Sequence, residues 1–189
     1  MHLTSSPVDW YAARAAGVVA YVLLTAVVLI GIAMAGKVRM RRWPRFAIED
    51  VHRFGGLLIG TFVGLHVLTV AIDSFTRFSI AQLLVPFAAS YRPLWTALGI
   101  VAAELLVALA VTNRYRSRLP HRFWRRAHYL NFAVWGLATL HTVGAGTDRS
   151  APWLVLLVVV STAGVCAAVV WRVARSRALA PARTVSARR

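Results

Sequence analysis

Four histidines carry the chemistry this sequence can do. His52 and His66 stand fourteen residues apart in "EDVHRFGGLLIGTFVGLHVLTVAID", and His128 and His141 stand thirteen apart in "RRAHYLNFAVWGLATLHTVG". Imidazole in an apolar run can bond to a neighbouring helix, carry a proton or ligate a metal. The sole cysteine, Cys166, excludes an internal disulfide and any cysteine-based metal cluster. It reads as a small buried apolar residue.

The elements that must hold these histidines are membrane spans. The chain has 189 residues, 59% of them hydrophobic, and several runs approach the roughly 20 apolar residues that cross a bilayer as helix. The reading is an all-α integral membrane protein with five transmembrane helices at about 11–35, 52–72, 94–112, 124–143 and 152–171. The first run lacks a basic leader and a small-residue cleavage site, so it is expected to be retained. An interfacial helix is expected at about 78–88, and a basic disordered cytoplasmic tail from 173 to 189. No G-x-G-x-x-G fingerprint follows a strand, so no flavin or nucleotide site is visible.

The formal net charge of +16 resides in arginines between spans. That is the pattern of membrane topology, with anionic lipids rather than nucleic acid as partners. Loops 37–45 and 113–126 and the tail are basic, while the alternate segments are poor in Lys and Arg. The N-terminus is therefore expected outside and the C-terminus in the cytoplasm of a multi-pass cell-membrane protein, as in a prokaryotic cytoplasmic membrane.

Spans two and four then run outward together. His52 and His128 share an inner level, and His66 and His141 an outer level about 20 Å away at 1.5 Å per residue. At about 100° per residue, His66 falls within about 40° of His52, but His141 falls about 140° from His128. Helix tilt, tightening near Gly136 or distortion after Thr139 would have to absorb that mismatch. Paired imidazoles at two depths suit two haem groups with two axial histidines each, held in a helical bundle for electron transfer. Zinc or copper would need more ligands than one level offers.

Other residues are weighed around this core. Gly55, Gly56 and Gly60 would let a flat macrocycle approach span two, although Gly56, Gly60 and Gly64 also form a ladder of the kind that packs helices. Arg53, Arg125 and Arg126 are candidates for haem propionates or plain interfacial anchors. Arg77 and Arg92 could bind outer propionates or attract an anionic acceptor. Trp135, seven residues after His128, is placed between the levels, with Phe62 weaker on span two. Glu104, in mid-span, is a candidate for proton transfer or for one hydrogen bond to a neighbouring helix. Asp73, Glu49 and Asp50 read as solvated span ends, and His2 and His121 receive no role.

The four-histidine pattern, H-x13-H and H-x12-H on two outward-running spans, resembles the ferric-reductase-like transmembrane domain superfamily. That group includes NADPH oxidases, metalloreductases and the haem-binding membrane subunit of a methionine sulfoxide reductase system. The resemblance covers about residues 11–145. It implies two haem b groups, ligated by His52 with His128 and by His66 with His141. The donor would be a separate flavoprotein reductase or a quinol. The acceptor outside would be ferric iron, oxygen or a redox partner protein. Two other readings stand beside it: a haem-free scaffold or assembly subunit, and a proton-relay transporter using Glu104 and the histidines.

Overall fold

The computed structural model describes residues 7–36, 43–73 and 78–178. Among these the regular elements are all helical: α1 Pro7–Ala35, α2 Arg45–Ile72, α3 Ile80–Leu84, α4 Pro93–Arg114, α5 His121–His128, α6 Asn131–Ala145 and α7 Pro152–Ala178, with a short 3₁₀ turn at Arg116–Arg118. Three of the long helices, α1, α4 and α7, open on proline, whose missing N–H costs nothing in a first turn. Four helices, α1, α2, α4 and α7, are long and apolar enough to cross a membrane. The protein is an all-α membrane protein.

The predicted span at 124–143 is not one helix. It divides into α5 and α6 at Tyr129–Leu130. There the backbone tightens, with Tyr129 N–H bonding Arg126 O and Leu130 N–H bonding Ala127 O, at 3.2 and 2.9 Å. Bonds three residues apart wind about 20° further per residue than α-helix, which recovers part of the phase that His141 lacks on an ideal helix. The distortion therefore lies beside His128, not near Gly136 or after Thr139. At 15 residues, α6 alone is shorter than a usual span.

Two other boundaries move. The interfacial helix is shorter than 78–88: α3 covers only Ile80–Leu84, opened by a capping box between Ser79 and Gln82. Pro86 and the left-handed Phe87, at φ 68°, prevent its extension. The tail is shorter as well, because α7 continues to Ala178 and takes in residues 173–178. The rest of the tail lies outside the described residues.

α1 is central. It packs against α2, α6 and α7, while α4 packs chiefly against α6. The core is built from Leu24, Val28 and Ile32 of α1, Ile59 of α2, Leu109 of α4, Val134 of α6 and Val165 of α7. Elsewhere large apolar side chains such as Leu57, Leu68, Val107 and Leu156 point outward. In water such a surface would aggregate; in a bilayer it faces hydrocarbon.

Candidate functional site

The bundle brings the four histidines together in two facing pairs. The rings of His52 and His128 have centroids 6.1 Å apart, and those of His66 and His141 are 6.3 Å apart. Their planes cross at 59° and 80°. The pairs are those the sequence predicts.

What aims these rings was not read from the sequence. His66 Nδ1 lies 2.7 Å from Ala13 O, and His141 Nδ1 lies 2.8 Å from Trp95 O. His52 lies against α1 beside the Val27 backbone, with its Nδ1 buried and without a hydrogen-bond partner. In each case a glycine stands four residues beyond the carbonyl: Gly17 after Ala13, Gly31 after Val27 and Gly99 after Trp95.

Helix geometry explains the pattern. Each Cα–Cβ bond tilts toward the helix N-terminus, so the side chain at i+4 stands over the carbonyl of residue i. A glycine there uncovers the carbonyl's second lone pair for a donor from the side. A Cβ on Gly99 would lie 2.5 Å from His141 Nδ1, one on Gly17 3.0 Å from His66 Nδ1, and one on Gly31 3.3 Å from His52 Cε1. With Nδ1 as the N–H donor, Nε2 keeps its lone pair, the tautomer that ligates metal.

The His141 seat is itself locked. Gly144 of α6 receives the Trp95 indole, where any Cβ would collide with the ring. Arg92 adopts a left-handed conformation, φ 43° and ψ 63°, at the start of α4. Its Nη1 donates to Gly144 O at 2.6 Å and Gly146 O at 3.3 Å, closing the end of α6. The role expected for Arg92, binding an outer propionate or acceptor, gives way in this structure to a helix-capping contact. Arg77 lies outside the described residues.

Beside the outer pair is a cavity of about 370 Å³, within the range of small-molecule sites. His66, His141, Gly17 and Gly99 line it together with Arg14 and Asp73. Arg14 pairs with Asp148 and lies over the Trp10 ring, 4.2 Å from its centre. Arg14 falls inside the first apolar run, where its position alone points to no role. Asp73 is buried, contrary to the solvated span end expected of it.

Trp135 lies on α6 between the two histidine levels, as predicted. Its indole N–H donates to Thr25 Oγ1 at 3.1 Å, and Thr25 donates to Tyr21 O at 3.0 Å. Thr139 donates to the Tyr21 hydroxyl at 3.2 Å, so a polar seam joins α1 and α6 through the core.

The remaining candidates stand apart. Gly56, Gly60 and Gly64 have nothing within 4 Å of where a Cβ would be, so among the described residues this ladder packs against no helix. Arg53 is exposed and 3.9 Å from Asp50, and Arg125 and Arg126 are exposed on α5. Glu104 is exposed in the middle of α4 and does not line the outer cavity. Gln in its place is expected to leave the histidine pairs undisturbed; a visible spectrum changed by Glu104→Gln would show that the carboxyl acts on them.

The fold and the site thus define a helical membrane protein with two levels of facing histidines. The profile of the family described as "Ferric reductase like transmembrane component" matches residues 16–139, well over half of the 189-residue chain. The chain belongs to that family. Three of the four histidines fall inside the match, and His141 lies two residues beyond it. Searches of curated proteins and of solved structures each give no match.

Proposed function

We propose that this protein is a di-haem b cytochrome that carries electrons across the cell membrane, from a cytoplasmic flavoprotein or a membrane quinol to an acceptor outside. Its N-terminus faces outward, and α5 and α6 together form the fifth crossing. One observation carries the reading: two pairs of imidazoles face each other at two depths of one bundle. A ligating imidazole nitrogen sits about 2 Å from its metal and roughly 1 Å from its own ring centre, so two imidazoles sharing one metal have centroids roughly 6 Å apart. The separations of 6.1 and 6.3 Å fit that requirement.

The donor set fits as well. Each level offers two neutral nitrogen ligands and no thiolate or carboxylate completes a metal site, since no group of three or more metal-ligating side chains occurs among the described residues. Haem brings four ligands of its own and needs two from the protein. The open flank at Gly56 and Gly60, with no atom within 4 Å of a built Cβ, leaves room for a flat group.

Bound at these levels, haem b supplies reversible one-electron iron chemistry. The chain's own residues do the rest. Carbonyls of Ala13 and Trp95 hold His66 and His141 by Nδ1, with Gly17 and Gly99 admitting the rings. Trp135 is fixed by Thr25 between the levels, where its π system shortens the gap an electron must cross. His52 with His128 and His66 with His141 would hold the two groups, and two histidines at each level suit electron transfer rather than substrate binding. The acceptor, whether ferric iron, oxygen or a redox protein, would meet the outer end. The haem-free scaffold and the proton relay find less support, because Glu104 faces away from the outer histidine cavity and neither role requires paired rings.

The test is the visible spectrum of purified protein, oxidised and dithionite-reduced, with pyridine haemochrome quantitation. Low-spin b-type bands at about two haems per chain are expected from two axial sites. A folded protein made with ample haem yet colourless would overturn the assignment.

A further inference from the structure

Glu104 sits in the middle of α4, eleven residues after Pro93 and ten before Arg114. At 1.5 Å per residue that is about 15 Å from either end, the half-thickness of a hydrocarbon core. Its side chain points away from the bundle. Leu109, about 140° round the helix, belongs to the core, and Leu106, about 160° round, packs on that core and lines the outer cavity. Glu104 itself is exposed and forms no hydrogen bond or ion pair among the described residues.

A carboxyl in that position is costly. Even the neutral acid, cheaper in hydrocarbon than the carboxylate, carries an O–H donor and acceptor oxygens that lipid tails cannot satisfy. A long lysine or arginine at mid-span could snorkel to headgroups and water, but glutamate is too short. Its cover must be protein, reaching α4 at the same depth.

The neighbouring residues describe a helix contact. Val107, Ala108 and Val111 are exposed like Glu104, and all lie within about 60° of it. Spacings of three, four and seven residues make the seam of a parallel helix pair, and Ala108 lets two backbones approach. The seam ends at Glu104, because Ala97 and Ile100, which would extend it outward, are buried within this chain.

A second copy of this chain supplies the missing partner without further requirement. Copies inserted in one orientation meet about a twofold axis along the membrane normal, so α4 runs parallel to α4 and like residue meets like. Glu104 then faces its own equivalent at an identical depth. A carboxylic acid is self-complementary there, since each O–H donates to the other's C=O. A foreign helix would need a polar group placed by coincidence at that level.

We propose that this protein is a twofold dimer in the membrane. The inner half of α4 is its interface, and the two Glu104 carboxyls bond to each other across the axis. The dimer goes beyond the cytochrome reading and does not depend on it. Trp95 and Gly99, which seat His141, lie on the opposite side of α4, so the contact leaves that seat untouched.

The test is made on the full chain in its own membrane. With Val107 replaced by a benzophenone-bearing residue, irradiation is expected to give a product of twice the chain's mass. The same replacement of Leu156, equally exposed but on α7, should give none. In detergent, Glu104→Met, similar in length but without a donor, should weaken dimerisation about tenfold, the effect of losing two interhelical hydrogen bonds. Glu104→Gln, whose amide still donates and accepts, should stay within about threefold of wild type. Sedimentation gives the affinities, with helicity to certify folding. If Glu104→Met does not accumulate, the cross-link from position 107 and the Glu104→Gln affinity carry the test. A product joined to a different protein, no product from position 107, or equal affinities in wild type and Glu104→Met would overturn the dimer. Haem content separates the two readings: a colourless dimer would retain this inference and lose the cytochrome, and a haem-loaded monomer would do the reverse.

Discussion

Gly99→Ala should cost the protein its outer haem, leaving about one haem per chain where two axial pairs would hold about two. The added methyl would stand 2.5 Å from Nδ1 and 2.6 Å from Cε1 of His141, closer than real contacts allow. The ring cannot simply slide away, because its Nδ1 is tied to Trp95 O on the same helix and Trp95 is sunk into the Gly144 gap. Alanine therefore expels the imidazole from its carbonyl and takes away both its aim and its tautomer. Gly17→Ala, at 3.0 Å from His66, should reduce outer haem less severely, and Gly31→Ala, at 3.3 Å from His52, should be nearly tolerated. Haem content by pyridine haemochrome, with helicity and gel filtration to certify folding, gives the ranking. Equal haem in wild type and Gly99→Ala would mean that the glycine seat does not aim the ligand.

The second large effect concerns pairing. His52→Ala and His128→Ala should each delete the same haem and spare the other, and His66→Ala and His141→Ala should delete the remaining one. The facing rings at 6.1 and 6.3 Å require this grouping, because no other combination shares a level. A redox titration of each variant, followed in the visible, should show one midpoint lost, the same one within a pair. His52→Ala and His128→Ala removing different midpoints would break the pairing. A protein in which all four variants retain both midpoints would have its haems elsewhere.

Much of this arrangement was legible in the sequence, for physical reasons that mark its limits. Apolar length identified four of the helices, because hydrocarbon tolerates few alternatives to helix. Shared direction then placed His52 beside His128 and His66 beside His141. The helix break at Tyr129–Leu130 was hidden because neither residue is a glycine or proline. Only the 140° phase error, about what thirteen ideal steps imply, hinted that the run could not be straight.

The glycine seats were harder. A residue's value to a ring on another helix depends on register, which composition does not reveal. The ladder of Gly56, Gly60 and Gly64 stands open, while Gly17, Gly31 and Gly99 admit the rings. A signal did exist: Gly17 and Gly31 are fourteen residues apart, the same interval as His52 and His66. On two helices running in opposite directions, equal intervals are what two matched contacts demand. The capping contact of Arg92 was hidden for a related reason. Its left-handed backbone sends the guanidinium to the end of α6, and one-dimensional position carries no such turn.

The antiparallel match between α1 and α2 also bears on the order of synthesis. The seats for His52 and His66 belong to α1, and the rings that fill them arrive on the next helix, α2. The α1–α2 hairpin therefore contains both half-sites before α4, α5 and α6 are made. His141, by contrast, finds its carbonyl on α4 and its partner ring on α2, so the outer level closes only when a late helix bridges two earlier ones. The outer pair is thus complete only once α6 is in place, with the α1–α2 hairpin already holding one ring of each pair.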